Sequence, residues 1–203
     1  MENQGFLDMI SKILHKEKSK KLIITLIVIF IFLSIFCRFP TSFKVFDSET
    51  GKPIEGTVAI AMWDRTRGFP GLSSTYTAKA IEAESDENGI VTFPFLFGRA
   101  AIFTPHIKFY KPGYVGWDSK RIYLGCYKEN STIPKTKKRN NFSMSSQDIF
   151  LENWEDEYTF ISHYKHINAP PDIHKAGIKG SKYKEAIKYE DQFRGSERRK
   201  LNK

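Results

Sequence analysis

The sequence predicts a mainly β chain: an antiparallel β-sandwich held behind an N-terminal transmembrane helix and followed by an amphipathic helix and a basic tail. Three observations predict it. Residues 22–37, LIITLIVIFIFLSIFC, carry no charge. From Phe43 to Tyr127, short runs rich in β-branched and aromatic residues alternate with Gly, Pro and Asn-Gly signals and show no helical period. Farther on, Phe150, Leu151, Trp154, Tyr158, Ile161 and Tyr164 recur at spacings of three and four, which puts them on one helix face.

The apolar run of sixteen residues spans roughly 24 Å as a helix at ~1.5 Å per residue. That is a little short of the hydrocarbon core, and Lys20, Lys21 and Arg38 supply stems that reach the interface. Ile35, Phe36 and Phe39 crowd the positions where a cleavage site needs small residues, so the run reads as an uncleaved signal anchor. Lys12, Lys16, Lys18, Lys20 and Lys21 precede it, and only Arg38 and Lys44 closely follow. The positive flank stays inside, which makes residues 1–21 cytoplasmic and the remainder periplasmic. Phe6, Met9, Ile10, Ile13 and Leu14 stand at helical spacing among lysines, as in a short helix on the inner leaflet or a plain cytoplasmic tail.

Residues 42–127 form the predicted sandwich. SFKVFD and TVAIAMW read as neighbouring strands joined by a loop that holds Gly51, Pro53 and Gly56. TAKAIEAES and IVTFPF flank Asp86-Glu87-Asn88-Gly89, and Asn-Gly between two strand patterns predicts a β-hairpin. HIKFY, a turn at Lys111-Pro112-Gly113 and RIYLG follow, with RIYLG as the expected last strand. Asp64 to Thr77 reads as a long loop between strands, a usual place for a binding site.

Val45, Asp47, Gly51, Pro53, Ile54, Gly56 and Val58, then Asp86, Gly89 and Phe93, then Pro112, Gly113 and Tyr114 form an ordered set of turn and strand motifs. With these, the segment resembles the carboxypeptidase regulatory-like domain, a transthyretin-like, Ig-like sandwich found attached to enzymes, transporters and bacterial envelope proteins. The resemblance implies an accessory module without catalytic residues of its own, and a shared fold does not set a function.

Residues 128–144 read as an exposed basic linker. Residues 145–168 read as the amphipathic helix, with a Ser145 start and a stop at Pro170-Pro171. Residues 169–203 read as a basic, partly disordered tail that can form a short helix, because Ile178, Tyr183, Ile187, Tyr189, Phe193 and Leu201 are few for a core. Ten Lys or Arg against five acids after Pro171 give this tail +5 of the formal +9. The sandwich is nearly neutral, and the tail is the largest single source of the net charge. In a periplasm the tail meets anionic lipid or cell-wall polymer and no nucleic acid.

A length of 203 residues excludes a large multidomain enzyme, and two cysteines exclude a disulfide framework or a four-cysteine zinc site. Cys126 reads as a buried thiol or, in an oxidising compartment, as a point of intermolecular pairing. Ser73 and Ser74 lack a nucleophile-elbow motif, and His106 has no marked partner. Glu152, Glu155, Asp156 and Glu157 crowd adjacent helix positions that do not face each other. The sequence therefore predicts no catalytic residue and no cofactor. The expected role is a non-catalytic interaction or scaffolding module of the bacterial inner membrane, bound to lipid through residues 22–37 and to an envelope protein or cell-wall polymer. Trp63, Phe69, Tyr76, Trp117 and Trp154 are the candidate contact residues. Two other readings stay open: a metal-dependent protein or hydrolase built on His163, His166 and His174, and a carbohydrate-binding module that uses the exposed aromatics.

Overall fold

The structure, a computed structural model, describes residues 20–31, 37–38, 40–69, 71–94, 96–97, 99–127, 132–140, 142–144 and 147–201. It divides into two compact units, residues 1–38 with 96–102 and residues 39–95 with 103–203. The first holds α1 (20–31), whose large apolar side chains from Leu22 to Ile31 are exposed. Within it β1 (Cys37–Arg38) pairs antiparallel with β6 (Leu96–Phe97), followed by α2 (Arg99–Ile102). Cys37, the expected last residue of the transmembrane helix, is thus in a strand. No helix among the described residues is long and apolar enough to cross a membrane. Residues 32–36 and the helix expected around Phe6 to Leu14 lie outside the described residues.

The second unit is mainly β. One sheet orders β11 (Asp148–Leu151), β2 (Thr41–Asp47) and β5 (Ile90–Phe93). Another orders β4 (Ser74–Glu84), β3 (Val58–Arg67), β7 (His106–Tyr110) and β8 (Trp117–Asp118). A two-stranded ladder joins β9 (Arg121–Cys126) to β10 (Pro134–Lys138). All described pairings are antiparallel except β11 with β2, which run parallel.

Alternation sets the inner face of the three-stranded sheet. On β2, Phe43 and Val45 are fully buried, and Phe43 meets Phe93 at 6.0 Å and Phe109 of β7 at 5.5 Å, which packs one sheet on the other. The motif residues shape the turns. Asp47 accepts the backbone N–H groups of Glu49 and Thr50 and the Tyr114 hydroxyl. Gly89 has φ 72°, and a Cβ there would sit 2.5 Å from the Val45 carbonyl oxygen, so only glycine fits this turn without strain.

Three expectations about these strands change. β2 and β3 are not neighbours, since they belong to different sheets. The Asp86–Gly89 turn forms, with Gly89 N–H donating to Asp86 O at 2.9 Å, yet it is not a hairpin. β4 pairs with β3 and β5 pairs with β2, so this turn carries the chain from one sheet to the other. Asp64 to Thr77 is also no long loop: β3 runs out to Arg67 and β4 begins at Ser74, across a register shift between Trp63 and Asp64.

The largest correction lies beyond β9. Arg121–Cys126 is not the last strand, because the basic linker contributes β10 and residues 148–151 form β11. The helix expected over 145–168 is reduced to α3 (Phe160–Ile167), capped by Thr159, whose side-chain oxygen accepts from Ser162 N. A short 3-10 helix (Pro171–Ala176) and α4 (Lys182–Leu201) then occupy the region read as a partly disordered tail.

The reason is packing. β3 is buried on both faces from Val58 to Trp63. Val58, Ile60 and Met62, with Ala80 and Tyr110, cluster against Ile167, Ala169, Ile173, Ala176, Tyr183 and Ile187. The C-terminal helices thus cover the second face of the four-stranded sheet. Side-chain carboxylates lock this layer in place. Glu197 of α4 accepts the Phe160 and Ile161 N–H groups at 3.0 Å each. Glu82 of β4 accepts Lys182 N–H at 2.9 Å and the Ser181 hydroxyl. Each satisfies orphan donors at a helix N-terminus and complements its dipole.

Candidate functional site

The histidines singled out by spacing have structural work. His163 is fully buried, accepts Gly116 N–H on Nε2 at 2.8 Å and donates from Nδ1 to Glu190 Oε1 at 2.5 Å. A nitrogen that accepts a backbone N–H carries no proton, so the tautomer follows and neither nitrogen is left for a ligand. His166 Nε2 donates to Gly116 O at 3.2 Å, and burial pushes its pKa down to about 3. His174 stands exposed on the 3-10 helix. Among the described residues no three His, Cys, Asp or Glu side chains converge as a metal-ligand set. Gly116 makes this close approach possible, since a Cβ there would fall 2.3 Å from Ile167 Cγ2.

His106 does have a partner. Its Nε2 lies 2.8 Å from Asp118 Oδ2, and Lys108 Nζ is 3.7 Å from the same oxygen. Lys108, nearly buried, also donates to the carbonyl oxygens of His166 at 2.7 Å and Asn168 at 2.9 Å, satisfying the C-terminal end of α3. Burial lowers the Lys108 pKa, and the Asp118 charge opposes that shift. For Asp118, burial pushes upward, but the hydrogen bond and charge of His106, then the charge of Lys108, win and hold it down at about 2. His106, Lys108 and Asp118 thus form a cluster of charged and titratable groups centred on the Asp118 carboxylate.

Asp118 also organises the surface above it. Its Oδ1 accepts the N–H groups of Lys120 at 2.7 Å and Arg121 at 3.1 Å, and its backbone oxygen accepts Arg139 Nε–H at 2.9 Å. The Arg139 guanidinium lies 4.3 Å from the Trp117 ring centroid. Antiparallel pairing of β9 with β10 sets Lys138 directly opposite Arg121. The result is a groove of about 650 Å³ that includes Lys120, Arg121, Lys138 and Arg139 among its lining residues and no Asp or Glu. Beside it lies a second groove of about 340 Å³, lined by Trp117, Phe150, Asp148 and Glu152 among others. The two share Arg139 and Phe142.

Of the predicted contact residues, the structure brings only Trp117 to this site. Trp63 is buried, with Nε1–H donating to Phe103 O at 2.9 Å. Trp154 stacks on Phe160 at 4.4 Å and meets His163 at 5.2 Å, a core role. Phe69 is 81% exposed and Tyr76 is 39% exposed, both on the β3–β4 hairpin. Cys126 is half-buried at the end of β9. Sequence reasoning missed Lys120, Arg121, Lys138 and Arg139. The basic run after Lys128 was the available signal, and only its pairing with β9 makes the charges converge.

No family model matches the chain, and no curated protein matches it. Among solved structures the chain is similar to a 9R-lipoxygenase from Cyanothece PCC8801, with 14% identity and a TM-score of 0.24, over 56% of this chain. The match spans 16% of the lipoxygenase chain, and a likeness at this level assigns neither fold family nor activity.

Proposed function

We propose that this chain is a non-catalytic binding module of a bacterial envelope, a single-pass inner-membrane protein whose N-terminus is cytoplasmic and whose transthyretin-like, carboxypeptidase regulatory-like sandwich works in the periplasm. The observation that carries the binding role is the contrast in how charged and titratable groups are placed. His163 and His166 are buried and hydrogen-bonded within the fold, whereas Lys120, Arg121, Lys138 and Arg139 line an open groove. The anchor rests on the uncharged run 22–37, the lysines before it and the exposed apolar side chains of α1.

Single cysteines test the topology. One is placed at the N-terminus and one in the Asp64 to Thr77 hairpin, with Cys37 and Cys126 replaced, and whole cells are labelled with an impermeant reagent. The expected result is a protected N-terminus, a labelled hairpin and a full-length mass. A hairpin protected in intact cells and labelled only after lysis reverses the topology and overturns the periplasmic reading.

A further inference from the structure

We propose that the paired grooves form a single binding site for an acidic polysaccharide in which charged sugars alternate with neutral ones. The inference deepens the binding role above and rests on it.

The charged groove carries a built-in repulsion. Lys138 and Arg121 are direct cross-strand partners, and like charges so placed destabilise a ladder. Among the described residues the Lys120 ammonium is paired with Asp64 at 3.8 Å, and Lys138 and Arg121 are exposed. An oxyanion seated between them relieves this repulsion, and Arg139 is already oriented for it by Trp117 and the Asp118 carbonyl. The neighbouring groove asks for something else. Phe150 is 53% exposed, with Phe142 beside it and Trp117 under the Arg139 guanidinium, and the exposed face of a phenyl ring suits the C–H face of a sugar. Its exposed carboxylates, Asp148 and Glu152, accept hydroxyl hydrogen bonds and repel anions.

The ligand is thereby bounded on both sides. A neutral glycan leaves the cationic groove without a partner. A uniformly charged chain, such as single-stranded nucleic acid, drives phosphates onto Asp148 and Glu152, although a basic groove with aromatics otherwise suits it. A chain that puts a carboxylate or other oxyanion on the Lys138–Arg121 pair and a neutral ring against Phe150 satisfies both grooves.

The test uses the full chain in detergent micelles and isothermal titration. The probe is an oligosaccharide that alternates a uronic acid with a neutral N-acetylated sugar. Dextran, single-stranded DNA of matched length and phosphatidylglycerol vesicles are the comparisons. The expected result is tightest binding to the alternating probe. Arg121→Gln and Lys138→Gln should each weaken it by about tenfold, the scale of one lost charge-assisted hydrogen bond. Phe150→Ala should weaken it several-fold, and neither charge variant should lower the melting temperature, since each removes a like-charge contact. Absence of probe binding, or binding that Arg121→Gln and Lys138→Gln leave intact, overturns the site. Tighter binding of DNA, dextran or vesicles overturns the ligand class. Binding in micelles does not depend on which side of a membrane the domain faces, so a failed topology and a failed ligand remain distinguishable.

Discussion

Ile187→Ala tests whether the basic C-terminal segment is part of the core or a solvated tail. Ile187 is 3% exposed and sits in the cluster with Val58, Ile60, Met62 and Tyr110. Truncating a buried isoleucine to alanine costs about 2–5 kcal/mol, depending on how far the site collapses. In a chain of this size each kcal/mol shifts the melting temperature by roughly 2–4 °C. A mid-range loss of about 3 kcal/mol therefore lowers it by roughly 6–12 °C. The control is Lys188→Ala, one position along the same helix and exposed, expected within about 0.5 kcal/mol of the parent. Tyr183→Phe removes the hydroxyl that donates to Ile167 O at 2.8 Å in a buried setting, and should cost about 1–3 kcal/mol because that carbonyl loses a partner. Ending the chain at Gly180 removes Tyr183 and Ile187 from the cluster and leaves Ile167, Ala169, Ile173 and Ala176 on Val58, Ile60 and Met62. At roughly 1.5–3 kcal/mol per buried side chain, losing Tyr183 and Ile187 alone costs roughly 3–6 kcal/mol, a large share of the whole stability of a domain. The assay is thermal unfolding of the full chain in micelles, followed by tryptophan fluorescence. Equal melting temperatures for Ile187→Ala and Lys188→Ala would refute the packed-helix account.

Gly116→Ala forces a Cβ to within 2.3 Å of Ile167 Cγ2, so it should destabilise by about 1–3 kcal/mol, and Ile167→Ala in the same chain should give part of that back in a double-mutant cycle. His166 stays neutral in the folded chain down to about pH 3, while the unfolded chain takes up a proton near the ordinary histidine value of 6.5. Below 6.5 the unfolded state binds more protons, so stability falls as the pH falls, by about 2 kcal/mol between pH 6.5 and 5. Urea titrations at those two pH values should show this, and His166→Gln should flatten the difference, with Asp118, His163 and Lys108 as the charged or titratable neighbours left in place. Glu197→Gln weakens the cap that α4 places on α3 and should cost about 0.5–2 kcal/mol in the same titration. Phe69→Ser and Leu72→Ser change side chains that are 81% and 86% exposed, so each should stay within about 0.5 kcal/mol of the parent.

Much of the strand content was legible because alternation and turn residues are local properties. Phe43, Val45, Gly89 and Asp47 do what their spacing suggests. Sheet membership was less legible. A tight Asn-Gly turn fixes a reversal of the chain but not whether its arms pair with each other or with strands elsewhere. Residues 148–151 show a second limit. DIFL alternates exposed and buried side chains as β11, yet Phe150, Leu151 and Trp154 also fit a helical spacing, and four residues cannot separate the two periods. The decisive unread signal was Val58 to Trp63. An unbroken apolar run means a strand buried on both faces, and the second face needed cover. The C-terminal segment looked too polar to build a core because its composition was judged alone. Its stripe of Tyr183 and Ile187 is narrow, but it closes on Val58, Ile60, Met62, Ala80 and Tyr110, which the sheet already presents.

The same hidden layer explains why the grooves were invisible in the sequence. Lys108 ties β7 to the carbonyl end of α3 and stands 3.7 Å from Asp118. Asp118 in turn holds the backbone of Lys120 and Arg121 and fixes Arg139 through its own carbonyl. One buried carboxylate residue thus positions Lys120, Arg121 and Arg139, and its low pKa keeps it charged wherever those cations are charged. No carboxylate among the groove's lining residues offsets the cross-strand pair of Lys138 and Arg121. The helical cover therefore does more than bury β3: by seating Lys108 against α3 it helps fix the position of Asp118, and Asp118 gives the groove its geometry.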